Sequence, residues 1–188
     1  MGPAPLYNEN LLLPAPGEIH VWLHPLVLSG GELALLDPGE RERAARFYFE
    51  KDRNAFIARH AWLRTLLGGY LLTDPGSIIF GKQGKPAIDG APLHFNLSHS
   101  GALAACAVTR DDAVGIDIEL IRPGETSAFF RSWTRREAYG KATGEGLSAP
   151  AEPAPGEDWS IIDLDAGPDY ACAVAIRGSN WTVLTRRG

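Results

Sequence analysis

The chain has 188 residues, 45% of them hydrophobic and 22% charged, which suits one large or two small folded domains and excludes a disordered or fibrous chain. Its 18 Lys and Arg against 23 Asp and Glu leave a net charge of −5, so nucleic acid is not an expected partner; no apolar run approaches the roughly 20 residues of a membrane span. Cys106 and Cys172 sit in apolar, strand-like runs and are expected to be reduced core residues; with no signal-peptide pattern at the start, the expected location is the cytoplasm.

In chain order, Glu18 to Leu28 alternates well enough for a first strand, with His20, Trp22 and His24 on one face. Two histidines without a third ligand are expected to pack rather than bind metal. Asp37-Pro38-Gly39-Glu40 supplies an N-cap, a proline at the first helical position and an acid at the third, which predicts a helix running to about Glu50. A second helix, capped by Asp52, is predicted to reach about Leu72, with Phe56, Leu63, Leu67 and Tyr70 as its apolar stripe and Arg59 beside it. Basic residues are dense from Arg41 to Arg64, enough to hold a small anionic ligand, although several must simply face solvent.

Ser77–Phe80 and Leu93–Asn96 read as short strands. Leu103–Val108 and Val114–Leu120 read as an antiparallel pair turned by Arg110-Asp111-Asp112. A helix from about Ser127 to Ala142 follows, then strands at Trp159–Leu164, Tyr170–Ile176 and Trp181–Leu184. The order strand, helix, strands recurs on either side of Gly101. The expected fold is therefore α+β, with halves at 1–100 and 101–188, each of strands packed on a helix.

The chemistry concentrates in Gly115-Ile116-Asp117-Ile118-Glu119 and Trp133-Thr-Arg-Arg136-Glu137-Ala-Tyr-Gly-Lys141. On a strand, Asp117 and Glu119 share one face, and paired carboxylates resist burial unless a cation joins them. Hard oxygen donors without Cys or His favour Mg²⁺, with Mn²⁺ as the substitute, over zinc. An isolated Asp-x-Glu is more often an exposed half-strand; the helix that follows reverses that reading. Trp133, Glu137 and Lys141 fall at i, i+4 and i+8, so Glu137 is placed to complete the metal set and Lys141 to meet a phosphate. Gly144 and Gly146 are expected to stop the helix. Ser98-His99 is not a hydrolase pair, because strand neighbours point to opposite faces and no Gly-x-Ser-x-Gly elbow is present.

Four segments, Gly84-Lys85-Pro86, Asn96-Leu-Ser98-His99-Ser100, Gly115–Glu119 and Trp133–Lys141, occur in the order found in 4′-phosphopantetheinyl transferases of the surfactin-synthetase-activating type, which this chain resembles. The resemblance implies two pseudo-symmetric α/β halves with the active site in the cleft between them, and a monomer. It implies coenzyme A and the serine of an acyl or peptidyl carrier protein as substrates, with 3′,5′-ADP as product. By motif position, Asp117, Glu119 and Glu137 would hold Mg²⁺, Glu137 would also accept the serine proton, and Lys141 would bind the α-phosphate. Ser98 and His99 would contact phosphates, Lys85 and Pro86 would line the adenine side, and Lys51 and Arg59 would add charge around the nucleotide.

Two features depart from the family pattern. Arg136 stands where Lys is common, and the connection from Leu120 to Ser132 is short, which leaves Phe129 and Phe130 as the nearby apolar residues, at least one expected in the core. Two rival readings share the same residues: a metal-dependent phosphoesterase that uses water, and a non-catalytic binder of coenzyme A or carrier protein. Dependence of coenzyme A consumption on a carrier protein separates them from the transferase.

Overall fold

The computed structural model describes residues 11–80, 88–150, 153–154 and 157–188. It is α+β. Strands β1 (Glu18–Pro25), β2 (His94–Ser100), β3 (Leu103–Thr109), β4 (Val114–Leu120), β5 (Trp159–Asp163), β6 (Tyr170–Arg177) and β7 (Thr182–Arg187) accompany helices α1 (Pro38–Ala45), α2 (Glu50–Leu71) and α3 (Ser127–Thr143). The chain divides into two compact units, Pro25–Phe80 with the residues around Leu12, and Leu13–His24 with the described part of 81–188. This division departs from the expected one at residue 100. The reason is pairing: β2 and β3, on either side of that boundary, form an antiparallel pair from His94↔Thr109 to Ser100↔Leu103.

The first unit is helical among its described residues. The predicted capping box forms: the Glu40 N–H donates to Asp37 at 2.8 Å and the Asp37 N–H to Glu40 at 3.0 Å. Helix α1 is shorter than expected, ending at Ala45. Arg46 and Phe47 close it by three-residue turns onto Arg43 and Ala44, and extended Phe49, not Asp52, precedes α2. The predicted stripe of α2 is buried, as are Leu36 and Ala44, which pack with Phe56, Ile57 and Ala61.

Arg64, fully buried on α2, ties the capping box to the helix. Its guanidinium donates to Glu40 at 2.7 Å, to Asp37 at 2.7 Å and to the Pro75 and Ile78 carbonyls at 3.1 and 2.8 Å. Burial alone would raise the Glu40 carboxyl, but hydrogen bonds from His60, Arg64 and the Asp37 N–H outweigh it and hold Glu40 at about 2. The expected strand at Ser77–Phe80 is absent. Asp74 instead caps a 3-10 turn over Pro75–Ser77, and the Arg64 guanidinium takes the Pro75 and Ile78 carbonyls.

The second unit holds two sheets, ordered β2-β3-β1-β7 and β4-β6-β5. First and last strands pair in parallel, Glu18↔Thr182 to Leu23↔Arg187. The expected β3–β4 hairpin does not form. After Thr109 the chain turns and enters the other sheet, where β4 pairs with β6 from Val114↔Ile176 to Leu120↔Tyr170. The two sheets share a core of Ile19, Val21, Leu23, Val114, Ile116, Ile118, Val174 and Ile176 among others. Cys106 and Cys172 are free thiols, both buried, as expected. His20, Trp22 and His24 are buried too, and burial pulls His24 down to about 4, which fits a packed neutral imidazole.

Candidate active site

Strand β4 is the edge of its sheet, so the backbone groups on its outer side need other partners. Strand β2 supplies some of them with side chains. Asn96, Ser98 and Ser100 stand at i, i+2 and i+4, and therefore on one face. The Ile116 N–H donates to Asn96 Oδ1 at 2.8 Å, and the Leu120 N–H to Ser100 Oγ at 3.1 Å. Between those ends the hydroxyls take the two acids: Ser98 Oγ donates to Asp117 Oδ1 at 2.8 Å and Ser100 Oγ to Glu119 Oε2 at 2.8 Å. The Asn-x-Ser-x-Ser segment thus holds both carboxylates from one strand face. The sequence reading gave Ser98 to phosphate and gave Asn96 and Ser100 no role; the period-two polar pattern on a buried strand was the available signal.

Helix α3 brings the third set of groups. Thr126 caps its start by accepting from the Phe129 N–H, and Gly144, at φ 81°, ends it, as the sequence indicated. Its Ala138 and Ala142 pack on Ala173 and Ala175 of β6. Contact with β4 is closer still, since a Cβ on Gly115 would lie 2.0 Å from the Ala138 carbonyl oxygen. No other residue type fits there, so Gly115 fixes how near the helix lies.

That proximity lets Lys141 reach back to the strand. Its Nζ donates to Asp117 Oδ1 at 2.6 Å, to Ser98 Oγ at 3.0 Å and to the Ile116 carbonyl at 3.1 Å. Asp117 is buried, and its second oxygen, Oδ2, has no hydrogen-bond partner among the described residues. A buried carboxylate oxygen left unpaired is costly unless something electropositive meets it. Glu137, on the same helix stripe as Lys141, has its carboxyl raised by burial first and then by the Asp117 charge, with Glu119 adding less; Lys141 and Arg136 pull the other way.

The structure therefore gathers Ser98, Asp117 and Lys141 by direct contact, with Glu119 beside them on Ser100 and Glu137 within their electrostatic reach. Among the described residues, no three His, Cys, Asp or Glu side chains converge at metal-ligating spacing. The donor types still suit a hard divalent cation: Asp117 and Glu119 both repel the Glu137 charge, and Asp117 keeps an orphaned buried oxygen. His99 points to the other face of β2 from Ser98 and is exposed. Lys51, exposed, and Arg59 lie in the first compact unit. Arg59 stands 5.7 Å over the Phe56 ring, and burial with the Arg43 charge draws it down to about 10. Lys85 and Pro86 lie outside the described residues.

Residues 30–111 match the family described as 4′-phosphopantetheinyl transferase, N-terminal. The chain is 35% identical to the 4′-phosphopantetheinyl transferase HetI of Nostoc sp., over 87% of this chain and 90% of that protein. It is 33% identical to a 4′-phosphopantetheinyl transferase of Bacillus subtilis, over 66% and 69% of the two chains. It is 29% identical to the transferase Sfp of Bacillus subtilis strain 168, over 64% and 65%. The HetI alignment spans 212 positions, more than the 188 residues of this chain, so that relative carries segments missing here.

Proposed function

Because this chain belongs to the 4′-phosphopantetheinyl transferase family, we propose that it moves the phosphopantetheine arm of coenzyme A to a serine of an acyl or peptidyl carrier protein, releasing 3′,5′-ADP. The observation that carries the site assignment is the buried, half-paired Asp117 carboxylate, held on one oxygen by Ser98 and Lys141 and open on the other.

Asp117, Glu119 and Glu137 would hold Mg²⁺ or Mn²⁺, with the hydroxyls of Ser98 and Ser100 fixing the first two. When bound there, the cation supplies charge neutralisation for the pyrophosphate. Glu137 accepts the proton of the incoming serine hydroxyl. The serine oxygen then forms its bond to the phosphorus of the arm as the bond to the ADP oxygen breaks. Lys141 already bridges strand and helix, and its compact ammonium is shared between Asp117 and the leaving phosphate. Ser98 and His99 on β2, with Lys85 and Pro86, are assigned to coenzyme A by motif position, and Lys51 and Arg59 by alignment of helix α2 alone. The nucleotide side and the metal side, the pseudo-symmetric halves with their cleft, the monomeric state and the cytoplasmic location belong to this same proposal; among the described residues no helix is long and apolar enough to cross a membrane.

Changing Asp117 to Ala tests the site. Transfer to an apo-carrier protein should vanish at every Mg²⁺ concentration while coenzyme A still binds. A variant that transfers at a near wild-type rate would place the metal elsewhere. Consumption of coenzyme A without any carrier protein would favour the phosphoesterase.

A further inference from the structure

Resting on the cation site of the transfer reading above, we propose that Ser100 is a positioning residue that makes Glu119 a one-oxygen ligand and so sets the site's preference for Mg²⁺ over Ca²⁺. A serine hydroxyl carries one hydrogen and two lone pairs. The Leu120 N–H donates to Ser100 Oγ at 3.1 Å, and the hydroxyl's own hydrogen goes to Glu119 Oε2 at 2.8 Å. Glu119 is thus engaged through one oxygen by a hydroxyl whose direction the strand backbone fixes.

The same arrangement stands two residues earlier. Lys141 Nζ donates to Ser98 Oγ at 3.0 Å, and Ser98 donates to Asp117 Oδ1 at 2.8 Å, while Asp117 Oδ2 has no hydrogen-bond partner among the described residues. Each acid therefore has one oxygen held by a serine and one left to give. Mg²⁺ demands a compact octahedron and suits one oxygen per carboxylate, whereas the larger Ca²⁺ takes about six to eight ligands and is often chelated by both. Before Glu119 can chelate, the hydroxyl on Oε2 must be displaced, and a hydrogen bond to an ionised carboxylate makes that costly.

The turn after Ser100 keeps the hydroxyl in place. Gly101 lies at φ 57°, and a Cβ there would meet Leu120 Cδ2 and Tyr170 Oη, each at 3.2 Å. The Ala102 N–H donates to Tyr170 Oη at 3.4 Å. Leu120 and Tyr170 are partners across the β4–β6 ladder, so the turn of one sheet is seated on the end of the other. Held on both sides, Ser100 does not follow Glu119 if the carboxylate rotates toward a larger ion.

The test measures Mn²⁺ binding by electron paramagnetic resonance, with coenzyme A present and carrier protein absent, and titrates Mg²⁺ and Ca²⁺ as competitors. A thermal melt on each protein confirms that it is folded. Ser100→Thr keeps the hydroxyl and should keep the wild-type ratio of Ca²⁺ to Mg²⁺ affinity. Ser100→Val, of the same shape as threonine but without the hydroxyl, and Ser100→Ala should move that ratio toward Ca²⁺ by about tenfold. Wild type that binds Mn²⁺ while the folded valine and alanine variants keep its ratio would overturn the role of Ser100 alone. An equal loss of all three cations in those variants leaves the ratio unmoved and overturns it in the same way. Wild type that binds no Mn²⁺ would overturn the carboxylate cation site and this proposal together.

Discussion

Glu137 is the residue on which structure and chemistry meet most closely. Burial and the neighbouring Asp117 charge raise its carboxyl above the ordinary carboxylate range, against the pull of Lys141 and Arg136. A base with a raised pKa is protonated, and so disabled, over a wider acid range. A divalent cation held by the same carboxyl would draw it back down, so the rate of transfer should fall on the acid side at a lower pH than burial and Asp117 alone would set. Glu137→Gln should remove that limb and lower kcat by at least about 10²-fold. The stability sign runs opposite. A carboxyl whose folded pKa exceeds its unfolded one costs stability as pH rises through that interval, so the glutamine variant should melt at neutral pH no lower than wild type. Thermal melts beside the pH–rate profile check both halves; retained activity, or a clear loss of Tm, contradicts the assignment. The shared strand face of Asp117 and Glu119 and the helix stripe of Glu137 and Lys141 were legible in the sequence because periods of two and four carry their own geometry. The bonds of Lys141 to Asp117 and Ser98 were not, because they span 24 and 43 residues and depend on how closely helix and strand approach.

That approach is a property of elements. Helix α3 rests on β4 across Gly115, where a methyl group would fall 2.0 Å from the Ala138 carbonyl oxygen and 2.5 Å from the Ala142 nitrogen. Backbone atoms in a regular helix cannot yield as a flexible side chain can, so Gly115→Ala must push the helix as a body. We expect a loss of roughly 3 kcal/mol, the upper part of the overpacking range, measured by urea denaturation. Activity should fall further than stability explains, since Lys141 would be drawn off Asp117; a variant of wild-type stability would show the contact to be looser than described. Element identity was read well where local rules dominate. The capping box of α1, the buried stripe of α2, the span of α3 and the exact bounds of β4 all follow from capping, period and terminating glycines. Errors fell where non-local partners decide: β3 and β4 looked like a hairpin, but β4 finds its ladder in β6, about 60 residues on. Ser77–Phe80 has strand-like residues, yet the buried Arg64 takes the Pro75 and Ile78 carbonyls.

At the scale of the molecule, the compact units follow contacts rather than motif order. Strand β1 leaves the helices it precedes to join the sheet of β2, β3 and β7, a pairing of first strand with last that no local pattern announces. The α+β class and the transferase family were legible because four motifs keep their order along the chain, whereas the division by contacts does not fall at residue 100, where it would separate the paired strands β2 and β3. The resulting molecule places its acids, its lysine and its serine ladder in one unit, and the question is whether that assembly hands its group to a protein hydroxyl. Intact mass spectrometry of an apo-carrier protein incubated with this protein, coenzyme A and Mg²⁺ asks it directly. The account predicts a gain of one phosphopantetheine arm, lost when the acceptor serine is changed to alanine. A carrier protein of unchanged mass, with coenzyme A either intact or hydrolysed, would contradict it.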